Sequence, residues 1–408
     1  MSVLLIITDG MADESMPDLN DKTPLEVSDK PTLDALTCMG QTGVLKSVPD
    51  AWDVGSDTAC LSILGYSLNA NYPGRSALEA AQLNISMTED ELVMRCNFIT
   101  IEDNRISSFT ADHISTSEAE VLIETLNQEF SQQPITFFTG NSYRHIIKTK
   151  GNAKSLISNS PHNSIQNSKN CLYIEAKDIH SKDTANFLNS IIDQAQIILE
   201  NHPINISRRQ RGLKPANAIS FWAPGSNPHF QAFNKLHPFS KGAVISAVDL
   251  IKGIGKLIQF KVIEVDGATG QSNTNYEGKV KAALEAVKEN DFVILHIEAP
   301  DEASHDGDLY LKIKTIEDID KRVIKPIYLE ISQWTTPPLL VILPDHITST
   351  KQKVHLRGDV PFLIYHPSLQ PDRTKLFTES AVRDGMFKLN EPLDFMSLIS
   401  TVHQTLNK

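Results

Sequence analysis

Cysteine is scarce and scattered: Cys38, Cys60, Cys96 and Cys171 are the only four in 408 residues, and no two form a C-x-x-C pair. Neither a zinc knuckle nor a disulfide framework is suggested, and a reducing cytoplasm is the expected setting. Long apolar runs are missing too. The opening MSVLLIITDG holds five apolar residues in a row without a basic flank, too short for a signal peptide or a membrane span. Positive charge is in deficit, 38 Lys and Arg against 50 Asp and Glu for a net charge of −12. Nucleic acid and anionic lipid are therefore not expected as partners, and any anionic ligand must be held by a few placed cations or metal ions. Neither a G-x-G-x-x-G nor a G-x-x-x-x-G-K-S/T loop occurs, so a nucleotide-dependent kinase gets no support from a standard phosphate loop.

What is present belongs to a folded chain. With 40% hydrophobic residues and only 40 Gly and Pro together, disorder is excluded, and at roughly 150 residues per domain two to three domains are expected. Val3 to Thr8 is an unbroken apolar run ending in Thr8-Asp9-Gly10, as in a central parallel strand that delivers an acidic side chain at its carboxyl end. Ala218 to Trp222, Asp291 to Ile297 and Pro338 to Leu343 repeat the form, and the last two run straight into acidic residues and histidines. Helical spacing joins Leu309, Ile313, Ile316, Ile319 and Val323, and a second helix is read over Lys279 to Lys288. Residues 88–190 differ, with alternating strand-like stretches around one helix at Ser117 to Phe130 and a polar loop from Ser155 to Asn170. The expected fold is α/β: a mainly parallel sheet flanked by helices, with a smaller α+β domain inserted. The core is read as residues 1–87 and 191–408, the insert as 88–190.

Chemistry gathers after the strands. Asp9, Ser56, Asp301, His305, Asp345, His346 and His355 mix hard carboxylates with imidazoles, a set suited to Mn²⁺, Zn²⁺, Co²⁺ or Mg²⁺ and larger than one ion needs. Two divalent ions are implied. Asp301 and His305, four apart, share a face if their segment is helical, with Pro300 suited to its first turn. Asp345 and His346, just past a strand end, can diverge toward two neighbouring ions. Ser56 follows Gly55, which allows a sharp turn, and precedes the apolar run Ala59 to Leu64, which reads as a helix. A serine so placed is by itself more often an N-cap. Beside metal ligands it becomes a nucleophile, its hydroxyl activated by the helix dipole and by coordination.

ITDGMAD, KTPLE, GSDTACLSILGY, PGRSALEAA, RCNF, YRH, ANAISFW, DGATG, PDEASHDGD, IEDID and DH…H, in that order over nearly the whole chain, resemble the archaeal-type cofactor-independent (2,3-bisphosphoglycerate-independent) phosphoglycerate mutases of the alkaline phosphatase superfamily. The resemblance implies an alkaline-phosphatase-like core, a phosphoserine at Ser56, and interconversion of 3- and 2-phosphoglycerate in glycolysis and gluconeogenesis. It partitions the ligands, with Asp9, Ser56, Asp345 and His346 around one metal and Asp301, His305 and His355 around the other, Mn²⁺ being the first choice. The partner is then a small phosphorylated three-carbon acid, and the insert acts as a lid that keeps water from the phosphoenzyme.

Recognition of phosphate and carboxylate calls for bidentate donors. Arg95, Arg144, Arg208, Arg211 and Lys241 are the candidates, with Arg75 a further contender and His162 read as a surface histidine. Two departures bear on the acceptor. Thr8-Asp9-Gly10 and Glu298-Ala299-Pro300-Asp301-Glu302 differ from the usual archaeal strings, and the second, with SFWAPG, is similar to a bacterial branch proposed to act as a homoserine kinase. A homoserine-directed phosphotransferase, a simple metallophosphatase and a non-catalytic metal-binding scaffold are the alternatives.

Overall fold

The computed structural model describes residues 1–407 and divides into two compact units, Met1–Tyr72 with Phe230–Lys408, and Pro73–His229. The larger unit is built on an eight-stranded sheet. Its order is Lys261–Ile263, Gly242–Ile245, Phe292–Ile297, Val3–Thr8, Leu339–Leu343, Asp359–Tyr365, Gln41–Lys46 and Phe387–Leu389. The first five strands run parallel, Asp359–Tyr365 is antiparallel to both its neighbours, and the last two again pair in parallel.

The apolar runs explain this arrangement. Every residue of Val3–Thr8, Phe292–Ile297 and Leu339–Leu343 is buried, because helices cover both faces of a parallel sheet and no residue of a central strand faces water. Leu4, Ile6, Val293, Leu295, Leu340 and Ile342 pack with Val280 and Ala283 of the helix Tyr276–Glu289 and with Ile316 and Ile319 of Leu309–Ile319. The helical periodicity that starts at Leu309 continues through a widened turn at Asp320–Ile324 into Lys325–Ile331.

The smaller unit holds a five-stranded antiparallel sheet around the long strand Glu91–Glu102, which pairs with Arg105–Ser108, Arg144–Lys150 and Ala218–Ser226; Ile135–Phe138 pairs with Arg144–Lys150. Leu92, Met94, Cys96 and Phe98 point one way, into a core shared with Leu122 and Leu126 of the helix Thr116–Glu129 and Leu188 and Ile192 of Lys182–Glu200. On the other face Val93 and Ile146 meet Ala77 and Ala80 of the helix Arg75–Gln82.

Two expectations are corrected. Ala218 to Trp222 is not a strand of the parallel core; it belongs to Ala218–Ser226, hydrogen-bonded antiparallel to Glu91–Glu102. The insert is correspondingly wider than residues 88–190. The helices Arg75–Gln82 and Lys182–Glu200 bury their apolar faces on this second sheet, and these long-range packings, not a change in composition, set where the units divide.

Candidate metal and phosphoryl-transfer site

Three adjacent parallel strands, Phe292–Ile297, Val3–Thr8 and Leu339–Leu343, end together. Their continuations therefore carry Asp301, Asp9 and Asp345 to one edge of the sheet, the carboxyl edge where ligands bind in open α/β folds. Gly10 makes the first turn, with φ of 61°; a Cβ there would stand 2.7 Å from the Asp301 Cα and from the Thr348 hydroxyl. Only glycine fits. Asp301 and His305 share one face of the helix Ala299–Asp306, with a carboxylate oxygen 3.3 Å from Nε2. His355 arrives from a short hairpin in which Val354–Leu356 pairs with Ile347–Ser349, setting it opposite Thr348.

Asp345 and His346 do not diverge as expected. Past the strand end the backbone turns both into the same cluster, with Asp345 Oδ2 3.5 Å from His346 Nε2. Ser56 opens the helix Ser56–Ile63, and its Oγ lies 3.2 Å from both Asp9 Oδ2 and His346 Nε2. Gly55 is extended, at φ −174°, so no unusual turn is needed there; a Cβ would instead crowd the Asp57 carboxylate at 2.8 Å.

The histidine tethers define what the cluster can hold. His305 Nδ1 lies 3.1 Å from the Lys353 carbonyl and His355 Nδ1 3.0 Å from the Val54 carbonyl. A carbonyl only accepts, so each Nδ1 carries the hydrogen and each neutral ring turns a bare Nε2 inward. The two Nε2 atoms are 2.9 Å apart, beside Asp301. His346 repeats the pattern: Thr348 Oγ1 donates to Asp301 Oδ1 at 2.6 Å and so accepts from His346 Nδ1 at 3.1 Å. Its bare Nε2 then faces the buried Asp9 Oδ1, which has no hydrogen-bond partner, at 3.4 Å. Lone pairs converging this closely repel one another unless a proton or a cation lies among them. The residues fit divalent metal ions, and two groups can hold one each: Asp301, His305 and His355, and Asp9, Asp301 and His346.

The electrostatics agree with that geometry. Burial, and then the charges of Asp345, Asp301 and Glu298, push the Asp9 carboxyl well above the usual carboxylate range. Burial would raise Asp301 as well, but hydrogen bonds with His305 and His355 hold it well below. Burial opposes charge on His305, yet the hydrogen bond and charge of Asp301 raise it to about 9. Without metal, a proton takes the place between carboxylate and imidazoles that a cation would fill.

Residues 38–205 match the family model described as 2,3-bisphosphoglycerate-independent phosphoglycerate mutase. The protein of that name from Methanosarcina mazei is 41% identical over 400 residues, 98% of this chain and 99% of its own. A probable mutase of this kind from Geobacter sulfurreducens is 37% identical over 90% of each chain. The chain belongs to the 2,3-bisphosphoglycerate-independent phosphoglycerate mutase family. Among solved structures, a protein from Pyrococcus horikoshii matches with a TM-score of 0.82 at 29% identity, covering 99% of this chain and 97% of its own. The cofactor-independent phosphoglycerate mutase of Thermoplasma acidophilum, 24% identical over 98% of this chain and 99% of its own, shares the fold at a TM-score of 0.64.

The basic residues expected to bind substrate fare unevenly in this mutase-family chain. Arg95 is buried in the smaller unit, its Nε 3.0 Å from Glu79 and its guanidinium stacked 4.2 Å over the Trp222 ring. Burial, with the nearby charges of Arg75 and Arg144 adding to it and Glu79 opposing, lowers Arg95 to about 10. An anion near Arg95 and Arg144 would relieve that strain. Arg208 is corrected. It spends its donors on Glu118, the Ala111 carbonyl and the Lys214 carbonyl and holds structure. Arg211, half exposed, pairs with the other Glu118 oxygen. Lys241 precedes the strand Gly242–Ile245 and so lies at the amino edge of the sheet, opposite the cluster, where its N–H bonds to Asp291. His162 is exposed on its loop and edges the Phe109 ring.

Sequence reading missed Thr348, Ser246 and His296. His296 had a signal: it is the one polar residue within the buried run FVILHI.

Proposed function

We propose that the chain interconverts 3-phosphoglycerate and 2-phosphoglycerate, with Ser56 carrying the phosphoryl group between the two positions. The observation that carries this is the convergence of the Ser56 hydroxyl with the inward Nε2 atoms of three tethered histidines and the carboxylates Asp9, Asp301 and Asp345. Asp9, Ser56, Asp345 and His346 would hold one divalent ion and Asp301, His305 and His355 a second, Mn²⁺ being the first choice. Bound divalent ions would lower the serine pKa and neutralise charge on the transferring oxygens.

The chain's own residues do the rest. Ser56 directs its hydroxyl hydrogen toward Asp9 Oδ2, which leaves Oγ lone pairs free for phosphorus. The Oγ–P bond forms as the P–O bond at the 3-position breaks, and the glycerate oxygen takes up a proton. The 2-hydroxyl then attacks the phosphoserine and loses its proton as the Oγ–P bond breaks, and Ser56 Oγ takes up a proton again. Arg95 and Arg144 are the proposed substrate-binding cations. The reaction would belong to glycolysis and gluconeogenesis in the cytoplasm; no described helix is long and apolar enough to cross a membrane.

The test is product analysis after incubating the Mn²⁺-loaded protein with 3-phosphoglycerate. 2-Phosphoglycerate is expected; free phosphate alone would mark a phosphatase instead. Ser56→Ala should lower turnover by roughly a thousandfold or more while the protein still binds Mn²⁺.

A further inference from the structure

A fourth histidine, this one fully buried, touches the cluster with the opposite polarity. His296 lies within the strand Phe292–Ile297, fully buried, in register with Ile7 of Val3–Thr8 and beside Ser246 at the end of Gly242–Ile245. Its Nε2 is 3.2 Å from Asp9 Oδ2 and its Nδ1 is 3.2 Å from Ser246 Oγ. Ser246 Oγ accepts the N–H of Val248 at 3.0 Å.

The hydrogens along this chain have one consistent arrangement when Asp9 is ionised, as a metal ligand must be. A carboxylate only accepts, so His296 Nε2 is the donor to Oδ2, and in the neutral ring Nδ1 is then bare. Ser246 already accepts from Val248 and gives its own hydrogen to that bare Nδ1. The run ends on Oδ2, the oxygen that also accepts from Ser56, and leaves Oδ1 without a hydrogen-bond partner. His305, His346 and His355 turn bare Nε2 atoms inward, whereas His296 turns an N–H toward a carboxylate.

We infer that Ser246 and His296 are positioning residues. They fix the rotation of the Asp9 carboxylate, so that Oδ1 is presented to a metal ion and Oδ2 stays aligned with the Ser56 hydroxyl. This rests on the reading that Asp9 is a metal ligand. The strand pairing makes it possible. Ser246 directly follows the strand Gly242–Ile245, whose register pairs Ile245 with Leu295, so Ser246 comes level with His296 on the neighbouring parallel strand, next to the strand that leads into Asp9.

The experiment measures Mn²⁺ binding directly, by the free-ion electron paramagnetic resonance signal, on full-length metal-stripped protein. His355→Ala is the background, which weakens the other cluster. His296→Leu, close in volume but without polar atoms, should weaken the remaining Mn²⁺ site by roughly 10- to 100-fold, the usual effect of losing a partner behind a metal ligand. His296→Gln, whose amide can still donate to Oδ2, should recover most of that affinity, and Ser246→Ala should fall between the two. Thermal melts of each variant report folding. If His296→Leu does not fold, Ser246→Ala carries the test. Equal Mn²⁺ affinity in the background protein, His296→Leu and Ser246→Ala would overturn the inference while leaving Asp9 as a ligand. Affinity in the background that Asp9→Asn does not change would overturn the ligand reading and the inference with it. Loss in His296→Leu that Gln fails to restore would reduce His296 to a packing residue.

Discussion

Thr348 shows how much a single hydroxyl can organise. It donates to Asp301 and accepts from His346, and in doing so it sets which His346 nitrogen faces the Ser56 hydroxyl. Thr348→Val, nearly isosteric, leaves a buried imidazole N–H and a carboxylate oxygen without that partner. The metal-free protein should lose about 1–3 kcal/mol in chemical denaturation, and Mn²⁺ affinity should drop by roughly tenfold or more. Unchanged affinity would mean that the His346 tautomer is held by something other than Thr348. Arg95 offers a second test. Lysine keeps the charge but not the planar fork, so Arg95→Lys should raise KM for phosphoglycerate by roughly tenfold or more, the scale of a charged hydrogen bond, with a smaller change in kcat. An unmoved KM would remove Arg95 from substrate binding.

Elements in this chain are finished by residues far away in sequence. The helix Pro31–Met39 begins after Lys30, which offers no side-chain cap. Its first N–H groups are taken instead by Asp320, whose oxygens accept from Thr32 at 3.2 Å and Leu33 at 2.7 Å. Asp320 stands where the helix Leu309–Ile319 passes into its widened turn, so one carboxylate ties the two helices together. Asp320→Ala should cost about 0.5–2 kcal/mol, as the loss of a helix cap does, read as a lowered midpoint in thermal or urea unfolding. Mutase activity per folded molecule should be unaffected. The same dependence on distant partners explains why helix existence was legible in the periodicity of Leu309 to Val323, while the cap and the widened turn were not. Spacing reports which face is apolar, not which remote carboxylate meets the helix end.

For the molecule as a whole, the candidate metal ligands all belong to Met1–Tyr72 and Phe230–Lys408, and the Arg95 cluster belongs to Pro73–His229. Metal binding is therefore expected to act on one unit. Mn²⁺ at a hundred times its Kd should stabilise that unit by about 2.7 kcal/mol per site, and chelation should reverse the gain. Hydrogen exchange should slow over 9–12, 299–306 and 345–356, and change little over 91–102 and 218–226. Equal slowing in both units would contradict a purely local effect. The net charge of −12 fits this plan, because Asp9, Asp301 and Asp345 are among the carboxylates proposed to hold a cation.

The sequence by itself determined the parallel core and the donors at its edge. A strand buried on both faces must be apolar throughout, and carboxylates with imidazoles directly after such strands have few uses besides metal binding, so both signals are local. Only the tertiary structure decided the rest. Ala218–Ser226 and Val3–Thr8 begin with similarly buried residues, yet one joins an antiparallel sheet and the other a parallel one, because strand partner and direction depend on residues far along the chain. Lys241 and Arg208 stood beside Arg95 as candidates until strand direction put the first at the opposite edge and Glu118 with two carbonyls claimed the second. His296 gained its significance in the same way. A buried histidine in a strand has no role until the register sets it between Ser246 and Asp9.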